Sequence, residues 1–110
     1  MAGTYKILTA DNAQIADSIG DLYTSSVTTC YLKAILLFNT NTTTETILLY
    51  IANNGTGGAA NQFFTIALAT KESRLIEFSN PIPLVSGAKL CGATTVASKV
   101  NVLAWGREDS

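Results

Sequence analysis

The sequence predicts an all-β fold: a single antiparallel β-sandwich or jelly roll of about seven or eight strands, with an extended N-terminal arm. Three observations lead there. Short apolar runs with a period of two recur along the chain, turn signals separate them at intervals of about eight to twelve residues, and the polar residues are mainly threonine, serine, asparagine and glycine. Charged residues make up only 14% of the chain against 47% apolar, where an ordinary soluble domain carries roughly 25% charged. Threonine suits a half-buried pleated surface, and asparagine and glycine suit tight turns.

The N-terminal segment comes first. Tyr5 to Leu8 reads as a strand or an extended arm, and Asn12 to Ile19 as a possible helical turn. Residues 1–20 are therefore expected as an arm and residues 21–110 as the sandwich. From Val27 to Asn39, Cys30, Leu32, Ala34, Leu36 and Phe38 form one apolar set of alternate positions against a mixed set of Tyr31, Lys33, Ile35, Leu37 and Asn39. That is a long central strand with one face in the core. Asn39 to Thr46, NTNTTTET, links it to Glu45–Ala52, which is apolar on both faces and so should be covered on both sides or touch another subunit. Since the flanking strands need each other to bury their apolar faces, NTNTTTET is read as a hairpin or crossover loop within one domain, not as a linker.

Asn53-Asn54-Gly55 ends the second strand, because Asn and Gly tolerate positive φ. Asn61–Ala69 fits either a helical stripe or a strand; its short length and FFTI core favour the strand. Leu75 to Phe78 is a short strand, and the prolines of SNPIP put Ser79 to Pro83 on an edge or in a loop, since proline cannot donate to a ladder. After the Ser86-Gly87 turn, Lys89–Thr94 and Lys99–Gly106 form a closing pair, with Val100, Val102 and Ala104 alternating against Asn101, Leu103 and Trp105.

The chemistry is sparse. The chain has no histidine, which excludes Ser/His/Asp and Cys/His nucleophilic sites and histidine-bearing zinc sites. Its eight acidic residues show no pairing pattern, and the Asp11, Asp17 and Asp21 spacing lacks the alternation of a calcium loop. GTGGAA, Gly55 to Ala60, has the glycine spacing of a dinucleotide fingerprint, with Glu77 about twenty residues on, but the motif needs a helix starting near Gly58 and a βαβ unit. A flexible glycine-rich loop at the tip of the sandwich is the simpler reading. Neither an enzyme nor a cofactor, metal or small-molecule substrate is expected.

Lys6, Lys33, Lys71, Arg74, Lys89, Lys99 and Arg107 are scattered, and the net charge is -1, so no basic stripe for nucleic acid or anionic membrane is expected. The N-terminus lacks the apolar core of a signal peptide, so synthesis in a cytosol without export is expected; the Asn41-Thr42-Thr43 and Asn54-Gly55-Thr56 sequons should then stay unmodified. Cys30 and Cys91, both in apolar strand-like runs, read as buried thiols. With so few charges, the surface is either threonine-rich or covered by a partner.

The succession LYTSS, LKAILLFNTN, ILLY, IAL, LIEF, PLVSGAKLCG and VNVLAWGRE, spanning Leu22 to Glu108, resembles small β-sandwich structural proteins of tailed-bacteriophage virions, of the capsid decoration or cement type. The resemblance implies a non-enzymatic virion protein, assembled in the host cytoplasm, that binds and stabilises the major capsid shell. It further implies a homotrimer whose residues 1–20 bridge neighbouring capsid subunits. Tyr5, Lys6, Ile7, Leu8, Tyr50 and Trp105 are the candidate capsid or subunit contacts. A head-fibre base, a tail or adaptor component, and a carbohydrate or receptor-binding module built on the glycine- and threonine-rich loops are the alternatives.

Overall fold

Residues 5–53 and 58–109 are described by the structure, a computed structural model. Among them, β1 (Tyr5–Ile7), β2 (Gly20–Thr24), β3 (Thr29–Asn39), β4 (Glu45–Ala52), β5 (Gln62–Leu68), β6 (Ser73–Val85), β7 (Lys89–Thr94) and β8 (Val100–Asp109) form two four-stranded antiparallel sheets. The strand orders are β1-β8-β3-β6 and β2-β7-β4-β5. Apart from the β4–β5 hairpin, every link carries the chain from one sheet to the other, which is the jelly-roll variant of a sandwich. Ile15, Leu32, Ile35, Leu37, Ile47, Leu49, Leu68, Leu84 and Leu90 are completely buried between the sheets. Each contributes about 2 kcal/mol relative to an exposed side chain.

From Tyr5 onward, the segment expected as an arm lies against the body. Tyr5, Lys6 and Ile7 pair with Arg107, Gly106 and Trp105 of β8, and Ile15 is fully buried in the core. No helical turn occupies Asn12 to Ile19. Ala13 and Ile15 are instead held extended beside β8 by backbone bonds to Val102 and Val100, because a single buried isoleucine with a paired backbone satisfies this segment without a helix. Asn61–Ala69 resolves as the strand β5, preceded by one 3-10 turn at Ala59–Asn61 that packs against β4. That lone turn, followed by an antiparallel strand, leaves no βαβ unit for the glycine fingerprint; residues 54–57 of that stretch lie outside the described residues.

β3 departs from simple alternation. Cys30 and Leu32 face the core as expected, but the core residues beyond them are Ile35 and Leu37, and Leu36 and Phe38 face outward. The cause is a bulge: Leu32 pairs with Gly106 and Ala34 with Trp105, so Lys33 is an extra residue that shifts the pleat by one. On the other flank, Phe78, Ser79, Asn80 and Pro81 stand opposite that same lysine. The Lys33 ammonium donates to the Phe78 carbonyl at 3.2 Å. The run expected as a short strand plus a proline loop is thus one kinked edge strand, β6. On β8, a Cβ added to Gly106 would lie 2.2 Å from the Tyr31 carbonyl oxygen.

NTNTTTET crosses between the sheets, as the crossover of its two expected forms. The Asn39 side chain is fully buried and organises it. Its amide nitrogen donates to the carbonyls of Thr43 at 3.0 Å, Leu68 at 2.9 Å and Ala69 at 3.2 Å, while its oxygen accepts from the Asn41 backbone at 2.8 Å. Glu45, also fully buried, accepts from the Asn41 amide at 2.7 Å and from the Val96 backbone at 2.9 Å. The end of β3 is thereby tied to the end of β5 in the opposite sheet.

Two substitutions test these constraints by equilibrium urea unfolding. Gly106→Ala is expected to cost about 3 kcal/mol by overpacking against the Tyr31 backbone. Gly87→Ala, where open space surrounds a φ of 90°, should cost only about 1 kcal/mol of backbone strain. Equal costs would mean that the bulge has room to relax. Asn39→Leu, which strands several buried carbonyls, is expected to lower stability by about 3 kcal/mol; an unchanged midpoint would show that water can enter and replace the amide.

Candidate functional site

The bulge decides what the outer face of the β1-β8-β3-β6 sheet carries. Because Leu36 and Phe38 point away from the core, successive cross-strand rows on that face read Tyr5–Arg107–Tyr31–Pro83, Ile7–Trp105–Ala34–Glu77, Leu103–Leu36–Leu75 and Asn101–Phe38–Ser73. Tyr5 is 60% exposed, Ile7 56% and Leu75 46%. Large apolar side chains this accessible, and contiguous through Trp105, Leu103 and Leu36, form an uncovered apolar face rather than scattered exposures. Arg107 stacks over the Tyr31 ring with 4.8 Å between the guanidinium carbon and the ring centroid, and its Nε lies 3.2 Å from the Asp109 carboxylate. One end of the face is therefore flat and aromatic, with its positive charge already paired.

At the other end the face deepens into a hollow of about 590 Å³. Leu36, Phe38 and Leu103 make its floor, and the loop from Thr9 to Gln14 makes its wall. Backbone bonds from Leu8 to Ala104, from Ile15 to Val100 and from Val102 to Ala13 fasten this loop to β8 on both sides of a tight turn, in which Asn12 takes a φ of 62°. The Gln14 amide donates to the Asn101 side-chain oxygen at 2.9 Å.

The residues expected as contacts separate into two groups. Tyr5, Ile7 and Trp105 come together on the outer face, Ile7 directly opposite Trp105. Lys6, Leu8 and Tyr50 do not join them. Lys6 turns to Glu108 at 2.9 Å, Leu8 packs against the core, and Tyr50 is 4% exposed, in a small cluster with Cys91, Ala93 and Leu48 on the outside of the second sheet. The two-sided apolar strand β4 is thus covered on both faces within the chain. Leu36, Phe38, Leu75 and Leu103 were not singled out from sequence. The signal was the unbroken run Ala34 to Phe38, which leaves apolar residues for both faces of one strand.

A second polar cluster lies where β2, β3 and β8 meet. The Tyr23 hydroxyl donates to Glu108, which also pairs with Lys6. These two hydrogen bonds, Tyr23's first, hold the Glu108 carboxyl below its ordinary value. Burial, and then the bond to Glu108, push the Tyr23 phenol far above its own. Burial likewise pushes up the Cys30 thiol beside them. The carboxylate stays ionised and the phenol and thiol stay protonated, so the cluster has no general base poised near neutrality and no thiolate nucleophile. The bond ties the two sheets together, since Tyr23 belongs to one and Glu108 to the other. Lys6 is half exposed and adds little.

Cys30 and Cys91 are thiols in separate clusters, Cys30 in the core from β3 and Cys91 outward from β7. Among the described residues, no group of three or more His, Cys, Asp or Glu side chains could hold a metal ion.

The sequence matches no protein-family model and no curated protein. Solved structures do share the fold. A chain of the Bacillus endospore appendages, a family of disulfide-linked pili, superposes with a TM-score of 0.55 at 18% identity, over 98% of this chain and 89% of that one. A chain of the T13 IBDV viral particle superposes with a TM-score of 0.51 at 18% identity, over 94% of this chain and 30% of that one. This chain thus spans under a third of the viral-particle chain's length.

The Tyr23–Glu108 tie predicts a pH signature. Because folding lowers the Glu108 pKa, the stabilisation is complete above its ordinary value of 4.5 and is lost as pH falls below that. Urea midpoints measured down an acid series should fall more steeply in the wild type than in Glu108→Gln or Tyr23→Phe. Parallel curves would show that the bond is not made in solution.

Proposed function

We propose that this chain is a non-enzymatic structural subunit of a bacteriophage virion, a capsid decoration protein that seats the outer face of its β1-β8-β3-β6 sheet on the major capsid shell and acts as a trimer. The observation that carries the proposal is the uncovered apolar face around Tyr5, Ile7, Trp105 and Leu75. The sandwich shared with a viral-particle chain supports it, as does a composition with few charges. With strands about 4.8 Å apart and a rise of about 3.3 Å per residue, the face covers roughly 400 Å², about half of one partner's share in a standard stable interface. One such contact is weak. A trimer making three at once gains affinity through effective concentration, which is how a small apolar face can hold a shell. Tyr5–Ile7 and Ile15 belong to the body and are not part of a free bridging arm.

A second reading has its own observation. The match with the pilus chain extends over nearly the whole length of both chains, as expected if this chain too is the repeating subunit of a filament or tail.

Undecorated capsid shells, mixed with the purified protein and pelleted, should carry it down, and Ile7→Asp or Trp105→Asp should weaken binding by at least about tenfold, or 1.4 kcal/mol. Ile7 is 56% exposed, so Ile7→Asp should keep the wild-type unfolding midpoint, whereas the half-buried Trp105 loses packing when replaced and its binding is compared at temperatures where the variant is folded. Protein left in the supernatant with shells, but forming filaments on its own in electron micrographs, would replace decoration with the second reading.

A further inference from the structure

We propose that the hollow at the Phe38 end of the sheet binds an uncharged mono- or disaccharide. Its volume of about 590 Å³ falls within the range of roughly 300–1,000 Å³ for small-ligand pockets. The lining combines two chemistries that a pyranose also combines. Phe38, Leu36 and Leu103 offer a flat apolar floor for the C–H face of a sugar ring, and Asp11, Asn12 and Asn101 offer carboxylate and amide groups for its hydroxyls. The Gln14–Asn101 bond uses one amide hydrogen and one oxygen, leaving the Gln14 oxygen and the Asn101 amino group for a ligand.

Charge narrows the class. Asp11 is the one charged residue in the lining, and it makes no ion pair or side-chain hydrogen bond among the described residues. With no cation among the described residues of the lining, a phosphate or an acidic sugar is disfavoured beside Asp11. A purely apolar ligand would leave the amides unpaired. The wall is already fixed by its backbone bonds to β8, so little ordering is required on binding. The site is distinct from the glycine- and threonine-rich loops at which a carbohydrate module was expected. It lies at the opposite end of the face from Tyr5 but shares Ile7, Leu36 and Leu103 with that face, so a sugar in the hollow and a shell seated on the whole face would compete.

The test is an amide-resolved NMR titration with lactose, maltose, cellobiose and diacetylchitobiose, and with sialyllactose as the anionic control. Saturable shifts confined to Asp11–Gln14, Phe38 and Asn101–Leu103 are expected with at least one neutral sugar and none with the control. Asp11→Ala and Asn101→Ala, both at exposed positions, should each weaken binding about tenfold with the rest of the spectrum unchanged. The proposal fails if no neutral sugar gives saturable shifts, if the variants bind as well as the wild type, or if the same residues shift with protein concentration alone, which would make the hollow a contact for a second copy.

Discussion

One extra residue governs the surface of this protein. Lys33, inserted between Leu32 and Ala34, puts β3 out of phase with itself, and the close passage of the Tyr31 carbonyl over Gly106 is what that insertion requires of the neighbouring strand. Without it, the Leu36 and Phe38 side chains would lie in the core and Ile35, Leu37 and Asn39 would point to solvent. The Asn39 amide would then be unable to cap Leu68 and Ala69. The core, the crossover and the exposed face all follow from the same local shift. Bulges commonly re-aim side chains near functional surfaces, and here the re-aimed pair forms the centre of the face and the floor of the hollow.

The sandwich is fastened across its two sheets by different chemistry at its two ends. Near the Asn39 end, a buried amide is satisfied by backbone carbonyls, with the buried Glu45 carboxylate accepting from Asn41 and Val96 beside it. Near Thr29 the tie is a phenol on a carboxylate, with a lysine at the rim.

Much of the fold was legible because several strands carry their own boundary signals. Glu45–Ala52 and Lys89–Thr94 start and stop where alternation and turns say they should. The prolines correctly placed Pro81 and Pro83 on an edge. The phase of β3 was not legible, because a bulge leaves no mark in composition: Ala34 to Phe38 is apolar whichever way it is threaded. The N-terminal segment misled for a related reason. Ile15 is one isoleucine among polar residues, too little to announce a buried segment, yet its complete burial and its backbone bonds to β8 are enough to dock it. Of the candidate contacts, Trp105 on the last strand and Tyr5 and Ile7 on its short partner β1 share the outer face. Tyr50 was not among them, because the second sheet has its own small cluster to cover it.

The prolines of β6 have a meaning beyond marking an edge. A strand at the border of a sheet is a template onto which another chain can hydrogen-bond, and the danger grows with local concentration. Pro81 and Pro83 remove two donors from that template, and the kink at Phe78–Pro81 breaks its straightness. At high local concentration of the chain, this border resists being zipped to a neighbour's. Any contact along this border is thereby left to side chains, which can be made and released, rather than to a growing backbone ladder that cannot.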